Sequence, residues 1–291
     1  MTCPRPARIL LTAPLLLLVS CGPQTSGSAK VSARPNVLLI SIDSLRADAL
    51  GCYGAAGDVS PHIDALAAQG VLFEDALSSS SWTLPSHAAL FTGLPDSAHG
   101  CDSNESRLSP QHETLAEHLS SAGYETAGFW SGPYLHPLFG LAQGFEHYIA
   151  CTGFEVFGAK SLGDARRGVA PWGEARANAR SHQDVTGPRV LEAFETYLDE
   201  RSSAKPFFAF VHLWDVHYDY IAPTEWRERF AKADYDGPMD GSARAIYEAT
   251  RGKRPGAPAA GLNQADVEQV RALYAAEVAW TDHHVGALLE R

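Results

Sequence analysis

The chain is predicted to fold as an α/β domain with a mostly parallel sheet flanked by helices, and three observations lead there. Strand-like and helix-like segments alternate along it. Two of the strand-like runs, Val37 to Ile42 and Pro206 to Leu213, are apolar almost throughout, as suits strands covered on both faces. With 291 residues, 45 % of them hydrophobic, the chain can bury a full-sized core. In order, Val37–Ile42 is the first buried strand and ends at Asp43. Ser60-Pro61 opens a helix closed by Gly70, and Val71 to Leu77 reads as an extended segment. A helix begins within Trp82 to Gly93, WTLPSHAALFTG, and another runs through Leu115 and Leu119 to stop before Gly123. Tyr124 to Trp130 is strand-like, Val190 to Leu198 helical, and Pro206 to Leu213 a strand. The last helix runs from about Ala265 to Leu289, with Val267, Val270, Tyr274, Val278, Thr281, Val285 and Leu288 near one face. Thr152 to Gln183 and Asp234 to Leu262 fit neither period and read as long surface loops or insertions near the site.

The N-terminus reads as an export leader: Arg5 and Arg8 precede an apolar stretch, Ile9 to Val19, too short for an ordinary membrane span. Leu18-Val19-Ser20-Cys21 resembles a bacterial lipobox, which makes 1–20 a lipoprotein signal peptide and Cys21 the lipidated first mature residue. An ordinary secretory signal is the alternative, and either reading places the domain outside the cytoplasm. Residues 21–35, rich in Gly, Ser and Pro, form a flexible tether with a reach on the order of 20 Å, leaving 36–291 as the domain. The expected location is the bacterial cell envelope, with a lipid anchor in the membrane and the domain facing the periplasm or exterior. The formal charge of −11 becomes more negative once Arg5 and Arg8 are lost, which argues against nucleic acid as a partner. Once Cys3 and Cys21 are set aside, Cys52, Cys101 and Cys151 remain; their spacing matches no zinc motif, and at most one disulfide can form among them.

Open parallel sheets bind ligands beyond the carboxyl ends of their strands. Asp43 ends the first strand there, Thr83 starts a helix, and His212, Asp215 and His217 end or follow the Pro206 strand. A helix start with Pro85 and Ser86 attracts an oxyanion, so a tetrahedral oxyanion ester is the first substrate class to consider. Thr83 is a candidate nucleophile or metal contact, or else a helix cap; Asp43 is a candidate ligand for a divalent cation, or else a strand end. His217 is a candidate for contact with the transferred group, and His87 for orienting the threonine or approaching the anion. His212 and Asp215 read mainly as structural, and Arg46 with Asp48 as a local ion pair.

The ordered set PNVLLISIDSLRADALGCYG (Pro35–Gly54), WTLPSHAALFTG and HLWDVHYDYIAP (His212–Pro223) resembles the sulfatase branch of the alkaline phosphatase superfamily. GYETAGFW, GLAQGFEHY and LYAAEVAWTDHHVGALL extend the resemblance across residues 35 to 291. It implies an alkaline-phosphatase-like fold, a divalent cation (Ca²⁺, Mg²⁺, Mn²⁺ or Zn²⁺) and hydrolysis of sulfate or phosphate esters. By position, Asp43 matches the first metal-binding aspartate, and Ser44 stands where many sulfatases have a second. Thr83 occupies the place of the cysteine or serine that becomes formylglycine, a conversion threonine cannot undergo, and His87 replaces the usual arginine. The resemblance extends instead to members with an unmodified threonine, including phosphoglycerol transferases, where a phosphothreonine is the expected intermediate. His217 matches the histidine that contacts the sulfate or phosphate, while FWSG at Phe129 to Gly132 replaces a segment that often carries a lysine and a histidine.

The resemblance also implies a later Asp-His metal pair on a strand after the last helix, so residues 36–291 are expected to be the N-terminal portion of the catalytic fold. Asp282-His283-His284 lies within the periodic helix, where adjacent positions do not share a face, and reads as structural. The expected function is metal-dependent hydrolysis of a sulfate or phosphate ester with Thr83 as nucleophile, phosphoryl transfer being the better match to a plain hydroxyl. The alternative is an inactive envelope lipoprotein, or a fragment, that binds an anionic ligand or a partner.

Overall fold

A computed structural model of the chain describes residues 34–153, 185–217, 219–251 and 261–291. The leader, most of the tether and Cys21 lie outside the described residues, as do residues 154–183 of the first expected insertion. Within the unit Pro35–Arg291, four parallel strands form one sheet in the order β1 (Val37–Ile42), β4 (Phe207–Leu213), β2 (Glu125–Trp130), β3 (His147–Ala150). The register pairs Ser41 with His212 and Ile42 with Leu213, and Thr126 with Phe208 on the other side of β4.

Strand alternation assigns the two faces. Phe208 and Phe210 of β4, with Val37 and Leu39 of β1, pack against Leu84, Ala88 and Phe91 of α2 (Thr83–Thr92) and Ala116 of α4 (Leu115–Ser121). Phe207, Ala209, Val211 and Leu213 face the other way, onto Val190 and Phe194 of α5 (Gly187–Glu200) and Val285 and Leu288 of α8 (Gln264–Leu289). Every residue of β4 and β2 is buried, as helices on both sheet faces require. The expectation of a buried first strand needs correction: β1 is half-buried along its length, because β4 is its partner on one side and it ends the sheet among the described residues.

The helices begin and end on recognisable chemistry. Pro61 opens α1 (Pro61–Gln69), and Gly93, at φ 68°, closes α2. Thr114 and Glu117 form a capping box on α4, as do Asn263 and Asp266 on α8. The second half of α8 is buried on nearly every side, beyond the stripe its apolar spacing predicted. Val71 to Leu77 forms no strand: Val71, Phe73 and Leu77 are exposed, because no ladder partner lies beside them among the described residues. Asp234 to Leu262 is not one long loop, since it contains α7 (Ala243–Arg251), whose start is held by Ser242 and by the Asp219 carboxylate accepting from Ala243 N. The short helices α3 (Asp96–His99) and α6 (Thr224–Phe230) and strand β3 complete the described elements. Cys52, Cys101 and Cys151 are all free thiols.

Candidate active site

Asp43 and Thr83 meet where β1 ends and α2 begins. The Thr83 hydroxyl, 7 % exposed, donates to Asp43 Oδ2 at 2.8 Å. Asp43 N is fixed on Leu213 O at 2.9 Å, which continues the ladder one residue beyond the strand and aims the carboxylate across the strand ends. Ser44 then turns the chain: at φ 56° it is the one non-glycine residue with positive φ among the described residues, a conformation that costs about 1 kcal/mol or more. Tyr274 of α8 holds this turn, donating to Ser44 O and accepting from Arg46 N, each at 2.9 Å. The Ser44 hydroxyl donates to Asp43 Oδ1 at 3.1 Å.

Burial by itself raises the Asp43 pKa. The hydrogen bond and charge of His212, the charge of His217 and the Thr83 hydroxyl more than offset that, so the carboxyl sits well below the usual range and is ionised at neutral pH. Beside it opens a cavity of about 560 Å³ lined by Ser41–Leu45, Leu77–Thr83, Ser86, His87, Ala89 and Leu90. Among the described residues no lysine or arginine lines it, and the N-terminus of α2 contributes positive potential to that wall.

His87 lies on the buried side of α2. Its Nδ1 faces the Thr83 carbonyl at 2.8 Å, which makes Nδ1 the donor and leaves Nε2 to accept from the Ser41 hydroxyl at 2.8 Å. Burial, followed by the charge of His212, pushes its pKa down to about 4, so His87 is neutral with both ring nitrogens engaged. It braces the Thr83 backbone and does not reach the Thr83 hydroxyl. His217 lies on the loop after β4, half-buried and stacked on Trp214 with ring centroids 4.1 Å apart. It does not line the cavity, though its charge acts on Asp43.

The residue that sequence reasoning set aside is His212. It shares the α2-facing side of β4 with Phe208 and Phe210, is fully buried, and places Nε2 3.5 Å from Asp43 Oδ2. Its pairing with Ser41, two residues before Asp43, follows from strand register, and that register was the signal available in the sequence. Asp215 accepts from Thr186 N and Oγ1 at 2.5 and 2.7 Å, tying the His217 loop to the start of α5. Asp282 accepts from His62 N and Ile63 N at 3.1 and 2.8 Å and so caps α1, in keeping with its structural reading. Arg46 and Asp48 form an exposed bidentate pair.

For a divalent cation, the buried groups at this point are the ionised Asp43 carboxylate, the Thr83 hydroxyl and His212 Nε2, which lies 3.5 Å from Asp43 Oδ2. These three suit a cation, although among the described residues no cluster of three His, Cys, Asp or Glu side chains forms a complete site.

A parallel α/β sheet flanked by helices, with a hydroxyl at a helix N-terminus hydrogen-bonded to a carboxylate at a strand end, defines a protein of the alkaline-phosphatase-like fold. The sulfatase family profile matches residues 35–291, and the chain belongs to that family, whose members are generally metal-dependent. It is 35 % identical over 236 residues to arylsulfatase A of Homo sapiens, covering 70 % of this chain and 46 % of the relative. An arylsulfatase of Clostridium perfringens is 24 % identical over 290 residues, covering 88 % and 59 %. The fold matches a phosphonate monoester hydrolase of Agrobacterium radiobacter with a TM-score of 0.62 at 22 % identity, over 88 % of this chain and 59 % of that one. The chain thus spans about half the length of the relatives it matches.

Proposed function

We propose that the protein hydrolyses phosphate or sulfate esters, phosphate esters in preference, with Thr83 as the nucleophile. The observation that carries this is the 2.8 Å hydrogen bond from Thr83 Oγ1 to an ionised Asp43 at the N-terminus of α2. A plain hydroxyl cannot form the aldehyde hydrate of formylglycine, and it matches the covalent route open to a phosphate ester. The fold likeness to a phosphonate monoester hydrolase is consistent with that preference.

In the reaction, Thr83 Oγ attacks phosphorus in line, the new O–P bond forms as the bond to the ester oxygen breaks, and the alcohol leaves with a proton. Asp43 orients the hydroxyl by accepting its hydrogen bond. His87 braces the Thr83 carbonyl and, being neutral, adds no charge. The α2 N-terminus stabilises the equatorial oxygens, with His217 as the expected second contact. Water then displaces Thr83 and releases phosphate. Asp43 and Thr83 would hold a divalent cation, which when bound lowers the pKa of the hydroxyl and neutralises charge on the transferred group.

By the same reading the protein is an envelope lipoprotein, anchored through Cys21 with its catalytic domain outside the cytoplasm. Nucleic acid is not its substrate, in keeping with the −11 charge. Turnover of aryl phosphate, phosphonate and sulfate esters with added divalent cation tests the function. Loss of that turnover in Thr83→Ala is expected, and equal turnover in the variant would exclude Thr83 as nucleophile.

A further inference from the structure

The left-handed turn at Ser44 is held by a residue from the other end of the chain. A φ of 56° is costly for any residue with a side chain, and such a conformation persists only where its surroundings fix it. Here one phenol does so. Tyr274 Oη donates its proton to Ser44 O and accepts from Arg46 N, each at 2.9 Å, so a single oxygen carried by α8 ties the carbonyl of the strained residue to the amide two residues on. The ring behind that oxygen packs on the cluster of Leu50, Val216 and Val278, and it meets Tyr220 edge to face at 5.4 Å. Water can bond the same backbone groups, but only an atom anchored in a packed helix opposes relaxation of the turn. Asp43 immediately precedes it. Its N–H is fixed on Leu213 O, its Oδ2 accepts from the Thr83 hydroxyl, and its Oδ1 accepts from the Ser44 hydroxyl at 3.1 Å. Relaxation of Ser44 to negative φ would swing that hydroxyl off Oδ1 and free Asp43 on its downstream side. Tyr220 lies three residues after His217, so the same tyrosine also touches the loop that follows β4.

We propose that Tyr274 is a positioning residue for the reaction: by clamping the left-handed turn at Ser44 it holds the Asp43 carboxylate on the Thr83 hydroxyl, and so sets the rate of the step in which Thr83 attacks. It touches neither substrate nor reacting atoms and acts only through the backbone of Ser44 and Arg46. A small displacement of the group that aims a nucleophile lowers the rate steeply while leaving substrate binding intact. The inference rests on the reading of Asp43 as the group that orients Thr83.

The test is Tyr274→Phe in the full chain, which keeps the ring and its packing and removes only the hydroxyl. With an aryl phosphate and added divalent cation, kcat is expected to fall about tenfold or more with KM unchanged. The Arg46 amide is expected to exchange faster with solvent, while thermal melts show the variant folded. A role confined to packing would lower the melting temperature and leave kcat unchanged well below it. A second measurement needs no turnover: Thr83→Val is made in the wild type and in Tyr274→Phe, and unfolding is followed in urea. Loss of the Thr83 hydroxyl is expected to matter less once the clamp is gone, by about threefold or more in the unfolding equilibrium constant. An unchanged kcat in Tyr274→Phe, or strictly additive unfolding effects, overturns the role of Tyr274, and inactivity of Thr83→Val in the same assay then leaves the reading of Thr83 and Asp43 standing. Full turnover in Thr83→Val overturns that reading itself.

Discussion

Glu277 gives the sharpest test of the packing behind the site. It lies in the buried half of α8, 3 % exposed, with Oε1 accepting from Ile221 N at 2.5 Å on the loop that carries His217. Burial, and after it the negative charge of Asp215, push its carboxyl up from 4.5 to about 9, against the amide hydrogen bonds of Ile221 and Ala222. The folded protein therefore keeps a proton that the unfolded chain releases at about pH 4.5. The corresponding stability is fully present below pH 4.5 and is lost as pH rises toward 9. Within that window each pH unit costs about 1.4 kcal/mol, so between pH 6 and 8 the wild type loses roughly 2.5 kcal/mol relative to Glu277→Gln. Glutamine keeps the acceptor for Ile221 N and cannot ionise, so the difference between the two proteins cancels every other titrating group. For a domain of this size the gap in melting temperature changes by roughly 5 to 10 °C. Urea unfolding of both proteins at pH 6, 7 and 8 measures it, and parallel stability curves would refute a buried, protonated Glu277.

Three further outcomes follow from the contacts described. His87→Ala removes two hydrogen bonds and the edge contacts to Phe91 and Phe210, and is expected to cost about 2 to 4 kcal/mol in urea unfolding, with turnover falling as Thr83 loses its brace; a loss below 0.5 kcal/mol would contradict the buried geometry. Gly132→Ala places a methyl against the Trp214 ring at φ 73°, so a loss of about 2 kcal/mol or more is expected, together with disturbed His217 stacking visible in near-ultraviolet circular dichroism. Asp282→Ala uncaps α1 and should lower stability by about 1 to 2 kcal/mol without altering metal affinity, while reduced metal binding would restore Asp282 as a ligand candidate.

The parts of the fold legible in the sequence were those with a long, clean period. β1, β2, β4, α5 and α8 carry runs that leave little choice of element, and α1 and α2 carry proline near the start and glycine at the end. β3 was missed because His147–Ala150 is four residues with no alternation, and α7 because nearby glycine and proline suggested irregular chain. Val71–Leu77 misled in the opposite direction, since β propensity forms a strand only where a ladder partner exists. At the site, Asp43 and Thr83 could be paired in advance because a strand end and a helix start converge at the carboxyl edge of a parallel sheet. The left-handed turn at Ser44 was not legible, because it depends on Tyr274, 230 residues away in sequence, and the approach of His212 could be read only through the pairing register of β1 with β4.

The central claim is that Thr83 becomes covalently attached to the group it transfers. The direct measurement is acid quenching of the full chain during turnover of an aryl phosphate with added divalent cation, followed by peptide mass spectrometry. The account predicts a phosphoryl group on Thr83 in the wild type, with no adduct and no turnover in Thr83→Ala. Turnover that persists in Thr83→Ala, or an adduct on another residue, would contradict it.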